Sequence, residues 1–317
     1  MNYIILVVGF FLLIKGADIF VDGAAAIAKK IGIPAVIVGL TIVSLGTSAP
    51  ELAVSLISSL QGNNGITIGN VLGSNIFNTL VVLGGTAAIA PMIFKKSTIK
   101  RDYLINTIVS ILVFVLAFGL MINKDGFLSR VDGFILLGLC IVYVIILIKA
   151  AKNHNEEIQE DTSDIQISKK IIAVIVGVVG IIIGGRLVVD SATSIAYSLG
   201  MSEKLVGLTI VAIGTSLPEL VTSIVAALKG EKEIALGNVL GSNIFNILLI
   251  LGISATIMPI PVSAQLSIDF LFYIGVTLFI GALIFLNKKE EKKFTRVEGI
   301  ILILLYIAYT VFIIMRN

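Results

Sequence analysis

Two glutamates stand in unusual company. Glu51 closes the stretch "GTSAPE", which begins at Gly46, and Glu219 closes "GTSLPE", which begins at Gly214; both stretches interrupt long apolar runs. A carboxylate at bilayer depth is costly unless it meets a cation or a polar cavity. Pro50 and Pro218 lack an N–H and crowd the carbonyls of Gly46 and Gly214 four residues back, so each helix must break there and turn free main-chain carbonyls toward such a cavity. Thr47 and Ser48, and likewise Thr215 and Ser216, add hydroxyls one turn before the glutamate. A second block, "GNVLGSNIFN", occurs at Gly69 and again at Gly237, and supplies Asn70, Ser74, Asn75 and Asn78, then Asn238, Ser242, Asn243 and Asn246. Ser74 and Asn78 are four apart and share a helical face. Every donor is oxygen, which suits a hard cation such as Ca²⁺ or Na⁺ and offers nothing to a soft metal.

Each feature taken singly has a plainer explanation. A proline can simply kink a membrane helix, and Ser, Thr and Asn can simply join helices by hydrogen bonds. Two intramembrane carboxylates in matching contexts have no such explanation, because packing needs neither. Asp22 and Asp190 are weaker candidates: Asp190 follows Arg186 by four residues, Asp22 follows Asp18 by four, and Lys15 precedes Asp18 by three, so local pairing accounts for them. Gly69 and Gly73, like Gly237 and Gly241, have the spacing that lets helices approach closely.

The elements that must position these residues are membrane helices. Of 317 residues, 57% are hydrophobic and 14% charged, against roughly 25% charged in a soluble domain. Apolar runs recur at about 3–28, 33–60, 66–90, 103–122, 128–150, 169–197, 203–229, 234–258, 266–287 and 296–315, each near the roughly 20 residues a bilayer crossing needs. The expected fold is an all-α integral membrane protein of ten transmembrane helices with no large soluble domain. The first run lacks a basic leader and carries Lys15, Asp18 and Asp22, so it reads as a retained span. Cys140 is the single cysteine and His154 the single histidine, which excludes an internal disulfide and Cys/His metal chemistry. The net charge of +3 is scattered in short clusters between spans, so no nucleic-acid surface is expected.

A shift of 168 residues carries Gly39–Ser55 onto Gly207–Ser223 with 12 identities in 17 positions, and Gly69–Asn78 onto Gly237–Asn246 with ten in ten. The chain therefore divides into a first repeat, 1–150, a polar linker, 151–168, and a second repeat, 169–317. The linker's carboxylates, Glu156, Glu157, Glu160, Asp161 and Asp164, lack the spacing of an EF-hand loop and read as solvated. An odd number of spans per half inverts the second repeat relative to the first. With the N-terminus outside, 17 Lys and Arg fall in inner loops against 4 in outer ones, which places the linker in the cytoplasm and both termini outside the cell membrane. Inverted repeats with interrupted helices at the midplane are the plan of secondary transporters.

The two block pairs resemble the α-repeats of the sodium/calcium exchanger family, in the cation/calcium antiporter superfamily, and the likeness to its prokaryotic ten-span members covers essentially the whole chain. The resemblance implies a core of the second, third, seventh and eighth spans that holds four cation positions, with the first and sixth spans sliding across it. Glu51 and Glu219 would be shared Ca²⁺ and Na⁺ ligands, flanked by Thr47, Thr215 and the main-chain oxygens of Ser44 and Ala212. Ser48, Ser74, Ser216 and Ser242 would complete the outer Na⁺ positions, and Asn78 and Asn246 would line the central one. The K⁺-dependent branch of the family has an aspartate where this chain has Asn246, so the resemblance implies exchange without K⁺. H⁺-coupled Ca²⁺ antiporters of the superfamily commonly carry further carboxylates in the second block, where this chain has asparagines. The expectation is a Na⁺/Ca²⁺ antiporter in a lipid bilayer, with no cofactor and no obligate protein partner. The alternatives are an H⁺-coupled Ca²⁺ antiporter and, more distantly, a cation channel, which inverted broken helices disfavour. An enzyme is disfavoured because no HExxH motif occurs and no histidine lies in a span.

Overall fold

The computed structural model describes residues 2–62, 64–119, 124–153, 166–200, 212–286 and 290–316. Its elements are α1 (Asn2–Ile31), α2 (Ala35–Thr47), α3 (Ala49–Leu60), α4 (Gly65–Ile89), α5 (Lys96–Phe118), α6 (Arg130–Asn153), α7 (Ile167–Ser198), a single turn α8 (Ala212–Gly214), α9 (Leu217–Leu228), α10 (Lys232–Ile257), α11 (Leu266–Phe285) and α12 (Arg296–Arg316). Among the described residues eight helices are long and apolar enough to span a bilayer, and α2 with α3, bent by 49° at their junction, makes a ninth. The seventh expected span, 203–229, is described only from Ala212 onward, as α8 and the short apolar helix α9. Residues 154–165, which hold His154 and the linker's carboxylates, lie outside the described residues.

Packing sorts the helices into a core and a lipid-facing ring. In α10, 94% of the most apolar stretch is buried, against 11% in α12, so α10 is enclosed by protein while α12 offers its side chains to lipid. Glycine sets how near the central helices come. A Cβ on Gly39 of α2 would lie 2.5 Å from the Ile234 carbonyl, and one on Gly237 of α10 would lie 2.5 Å from the Val36 carbonyl, so neither position admits a side chain.

The helices α1 and α7 form their own pair. Gly9, Gly16 and Gly23 recur every seven residues along α1 and meet Val188, Ile181 and Val174 in turn, so the two helices run antiparallel. Gly177 and Gly184, also seven apart, answer from α7; a Cβ on Gly184 would sit 2.4 Å from the Leu13 amide. Two backbones in direct contact along the pair replace the side-chain interdigitation of a soluble bundle.

Two short β ladders depart from a purely helical plan. Met92–Lys95 pairs antiparallel with Glu291–Phe294, and Gly126–Leu128 with Ile260–Val262. Both join a loop of the first half to a loop of the second. Each ladder pairs backbone groups of connecting segments that no helix satisfies. Gly126 is needed at its strand because a Cβ there would lie 2.3 Å from the Ala117 carbonyl. Below the first ladder the Ser97 amide donates to Glu290, and the Ser97 hydroxyl and amide together hold that carboxyl below the usual range.

Candidate functional site

The interruption has the same form twice. At Ser48 the backbone turns to φ −82°, ψ 8°, and at Ser216 to φ −95°, ψ 7°. A new helix starts at each point with proline in its first turn, where a missing N–H costs nothing. Glu51 and Glu219 fall in that first turn, so each carboxylate sits at the positive end of a helix. The second blocks carry their own irregularity: α4 widens into a π-helical turn over Asn78–Val82 and α10 over Asn246–Leu251, each beginning on an asparagine of the block. Such turns leave the α-helical register and point side chains where a regular helix would not.

Both glutamates are fully buried, at 0% exposure, and their hydrogen bonds cross between the halves. Ser216 donates to Glu51 Oε1 at 3.1 Å, and Ser48 donates to Glu219 Oε1 at 2.8 Å. Ser74 adds a longer bond to Glu51 Oε1, 3.4 Å. Behind each glutamate an asparagine holds the broken helix to the second block. Asn70 donates to the Glu51 carbonyl at 3.3 Å and to Ser55 at 3.0 Å; Asn238 donates to the Glu219 carbonyl at 3.3 Å and to Ser223 at 2.9 Å.

Several further polar atoms of these residues are buried without a partner. Among the described residues, Glu51 Oε2, Glu219 Oε2, Thr215 Oγ1, Ser242 Oγ, Asn246 Oδ1 and both polar atoms of Asn78 are buried without a hydrogen-bond partner. Leaving one such atom unpaired costs about 1–3 kcal/mol, and more for a charge. Six of the seven are oxygens, the donor type a hard cation takes, and the seventh, Asn78 Nδ2, can only donate. Among the described residues no three His, Cys, Asp or Glu side chains gather as a metal site. A cavity of about 540 Å³ reaches Ser74, Asn70 and Thr215 from the side where Arg316 closes α12; there Arg316 pairs with Asp269 at 2.9 Å.

Most of the residues singled out from sequence meet at this place, with distinct roles. Thr47 donates to Asn238 Oδ1 at 3.0 Å. Ser44 bonds its own helix, donating to the Leu40 carbonyl at 2.9 Å, while its carbonyl accepts the Ser48 amide at 3.0 Å. In the second half the Ser216 amide bonds the Ile213 carbonyl instead, at 3.2 Å, leaving the Ala212 carbonyl without that bond. Gly237 and Gly241 pack tightly against α2, whereas Gly69 and Gly73 have no described neighbour within 4 Å, and residues 201–211, which mirror α2, lie outside the described residues.

Asp22 and Asp190 are remote from this centre and engaged in ion pairs. Arg186 meets Asp190 at 3.6 Å and Lys15 meets Asp18 at 3.6 Å, the local pairings their spacing suggests. The stronger contact is one the spacing does not suggest: Lys229, at the end of α9, reaches across to α1 and meets both Asp18 and Asp22 at 2.6 Å. Asn75, Asn243, Thr79 and Tyr273 form a further buried hydrogen-bonded layer beside Asn246.

Helices that surround two buried carboxylates and unpaired oxygens, in a chain whose outer faces meet lipid, define a multi-pass ion transporter rather than an enzyme. The chain matches the family described as sodium/calcium exchanger protein over residues 1–149 and 169–315. It belongs to that family. It is 35% identical to the sodium/calcium exchanger MaX1 of Methanosarcina acetivorans, over 98% of this chain and 97% of the relative. It is also 37% identical to the inner membrane protein YrbG of Escherichia coli, over 80% and 79%. The solved structure of the sodium-calcium exchanger NCX_Mj soaked with 10 mM Na⁺ and no Ca²⁺ superposes with a TM-score of 0.82 at 33% identity, covering 97% of both chains.

Proposed function

We propose that this chain exchanges Na⁺ for Ca²⁺ by alternating access, with two inverted repeats, 1–150 and 169–317, moving around the Glu51 and Glu219 centre and the linker facing the cytoplasm. The observation that carries this reading is the pair of fully buried glutamates, each with one oxygen held by a serine of the opposite half and one oxygen unpartnered. One Ca²⁺ or two Na⁺ balances two carboxylates, so the ions compete for one place, and the empty site is the costly one to carry past an apolar barrier. Thr47, Thr215, Ser48, Ser216, Ser74, Ser242, Asn78, Asn246 and the carbonyls of Ser44 and Ala212 supply the neutral oxygens. When more than two Na⁺ move per Ca²⁺ the cycle carries charge, and an inside-negative potential adds about 2.3 kcal/mol per charge per 100 mV toward Ca²⁺ extrusion.

Asn246 makes the central position neutral, so a bound K⁺ would leave uncompensated charge there and exchange proceeds without it. The test is ⁴⁵Ca²⁺ flux in proteoliposomes. An outward Na⁺ gradient drives Ca²⁺ uptake in K⁺-free medium, with no stimulation on adding K⁺. Uptake driven by a pH gradient without Na⁺ would instead establish H⁺ coupling, and a strict K⁺ requirement would refute the argument from Asn246.

A further inference from the structure

The asparagine that lines the centre has two ends of nearly equal size and opposite character. An oxygen presented to a cation binds it; an NH₂ repels it. What faces inward at Asn246 is therefore decided by what holds its other end. Asn246 Nδ2 donates to Asn75 Oδ1 at 3.0 Å, and Asn246 Oδ1 is left buried and unpartnered. Asn75 is fixed in turn: its Nδ2 donates to the Asn243 carbonyl at 3.1 Å and to the Tyr273 hydroxyl at 3.4 Å. A main-chain carbonyl only accepts, so Asn75 cannot reverse without losing that bond. The Tyr273 hydroxyl accepts from Asn75 because it donates onward to Asn106 Oδ1 at 3.4 Å. All the bonds in this chain run one way, from Asn246 out to Asn106 on α5.

The second half does not repeat it. Asn243, the counterpart of Asn75, donates to Thr79 Oγ1 at 2.9 Å, and Asn78, the counterpart of Asn246, has neither polar atom held. The same shift of 168 residues puts Ile105 opposite Tyr273 and Ile274 opposite Asn106, so the outer end of the relay exists on one side only.

We propose that Asn75 is a positioning residue for cation binding, which turns the Asn246 carboxamide oxygen into the site, and that Tyr273 and Asn106 hold Asn75 in the orientation that does so. The proposal rests on the exchange reading for its transport readout, and Ca²⁺ titration calorimetry on purified protein tests it apart from that reading. In Asn75→Leu the acceptor is gone and Asn246 is free to present its NH₂, so Ca²⁺ affinity falls on the order of tenfold and the KM for Ca²⁺ rises to match, with the maximal rate kept. In an Asn246→Asp background both ends are oxygen, and adding Asn75→Leu costs less than about twofold. Tyr273→Phe, a milder variant that keeps the packing, weakens Ca²⁺ binding about threefold with Asn246 present and leaves the Asn246→Asp protein unaffected. Equal losses in the two backgrounds, or no loss in either, would overturn the proposal. Wild-type protein that binds Ca²⁺ but shows no Na⁺-driven uptake would refute the exchange reading, and the calorimetric cycle would still decide the role of Asn75.

Discussion

At Ser48 and Ser216 the two halves break with nearly the same backbone angles, and behind each break Asn70 or Asn238 holds a glutamate carbonyl at 3.3 Å. A few residues away the halves part. Thr79 gives Asn243 a hydroxyl to bond, where the second half has Ile247. Lys229 ties α9 to α1, where the first half has Gln61 at the matching end of α3. Ser44 stands opposite Ala212. The duplicated residues are those gathered around the two buried glutamates. The unduplicated ones set how each half is held, and there the two halves are unequal.

The strongest test of the likeness is at the glutamates. Glu51→Gln and Glu219→Gln each keep size and some hydrogen bonding while removing a charge that the cation needs, so Na⁺-driven Ca²⁺ flux falls by about a hundredfold or more in both, in folded protein. If one variant retained near wild-type flux, the two halves would not be equivalent at their centre.

Next are substitutions that copy one half onto the other. Thr79→Ile imitates Ile247 and leaves the Asn243 amide buried without its partner, at a cost of about 1–3 kcal/mol, read as a lower melting temperature that Thr79→Ser restores. Unchanged stability would mean that Asn243 turns to the Asn75 carbonyl, as Asn75 already bonds the Asn243 carbonyl, and that the halves are more alike than they stand. Lys229→Gln imitates Gln61 and removes both ion pairs to α1. The groups are partly exposed, so the loss is about 1 kcal/mol and shrinks as salt is raised. A loss that salt leaves unchanged would show that the lysine stem packs rather than pairs.

What could be read from sequence follows the range of each interaction. The prolines, the glutamates and the shift of 168 residues are local or repeated patterns, so the helical membrane plan and the residues of the centre were legible before any coordinates. The crosswise bonds from Ser48 to Glu219 and from Ser216 to Glu51 were not, because a repeat says which residues correspond and not which half each side chain faces. The ion pairs of Lys229 leave no local signal, since its partners are some two hundred positions earlier. Gly9, Gly16 and Gly23 did carry a signal, a seven-residue period of glycine that marks the α1 and α7 contact. The two β ladders left none, since strands of three or four residues have too short a pattern to distinguish from loop.

The smallest expected effect is at Ser44, and it separates two ways a serine can serve a cation. Its hydroxyl donates to the Leu40 carbonyl at 2.9 Å, one turn back on its own helix, and a Cβ on Gly241 would lie 2.6 Å from its oxygen. That hydroxyl is used within α2 and pressed against α10, so it is not free to turn to the centre. The matching residue, Ala212, has no hydroxyl, and any oxygen the two positions share belongs to the main chain. Ser44→Ala makes the halves identical here, keeps the carbonyl and removes a back-bond that helices do not need. Ca²⁺ and Na⁺ affinities should stay within about twofold of wild type by calorimetry, a shift smaller than one lost neutral hydrogen bond. A loss approaching tenfold would place the Ser44 hydroxyl among the ligands and make the first half the richer in oxygen donors, which would break the equivalence of the two breaks at the level of coordination itself.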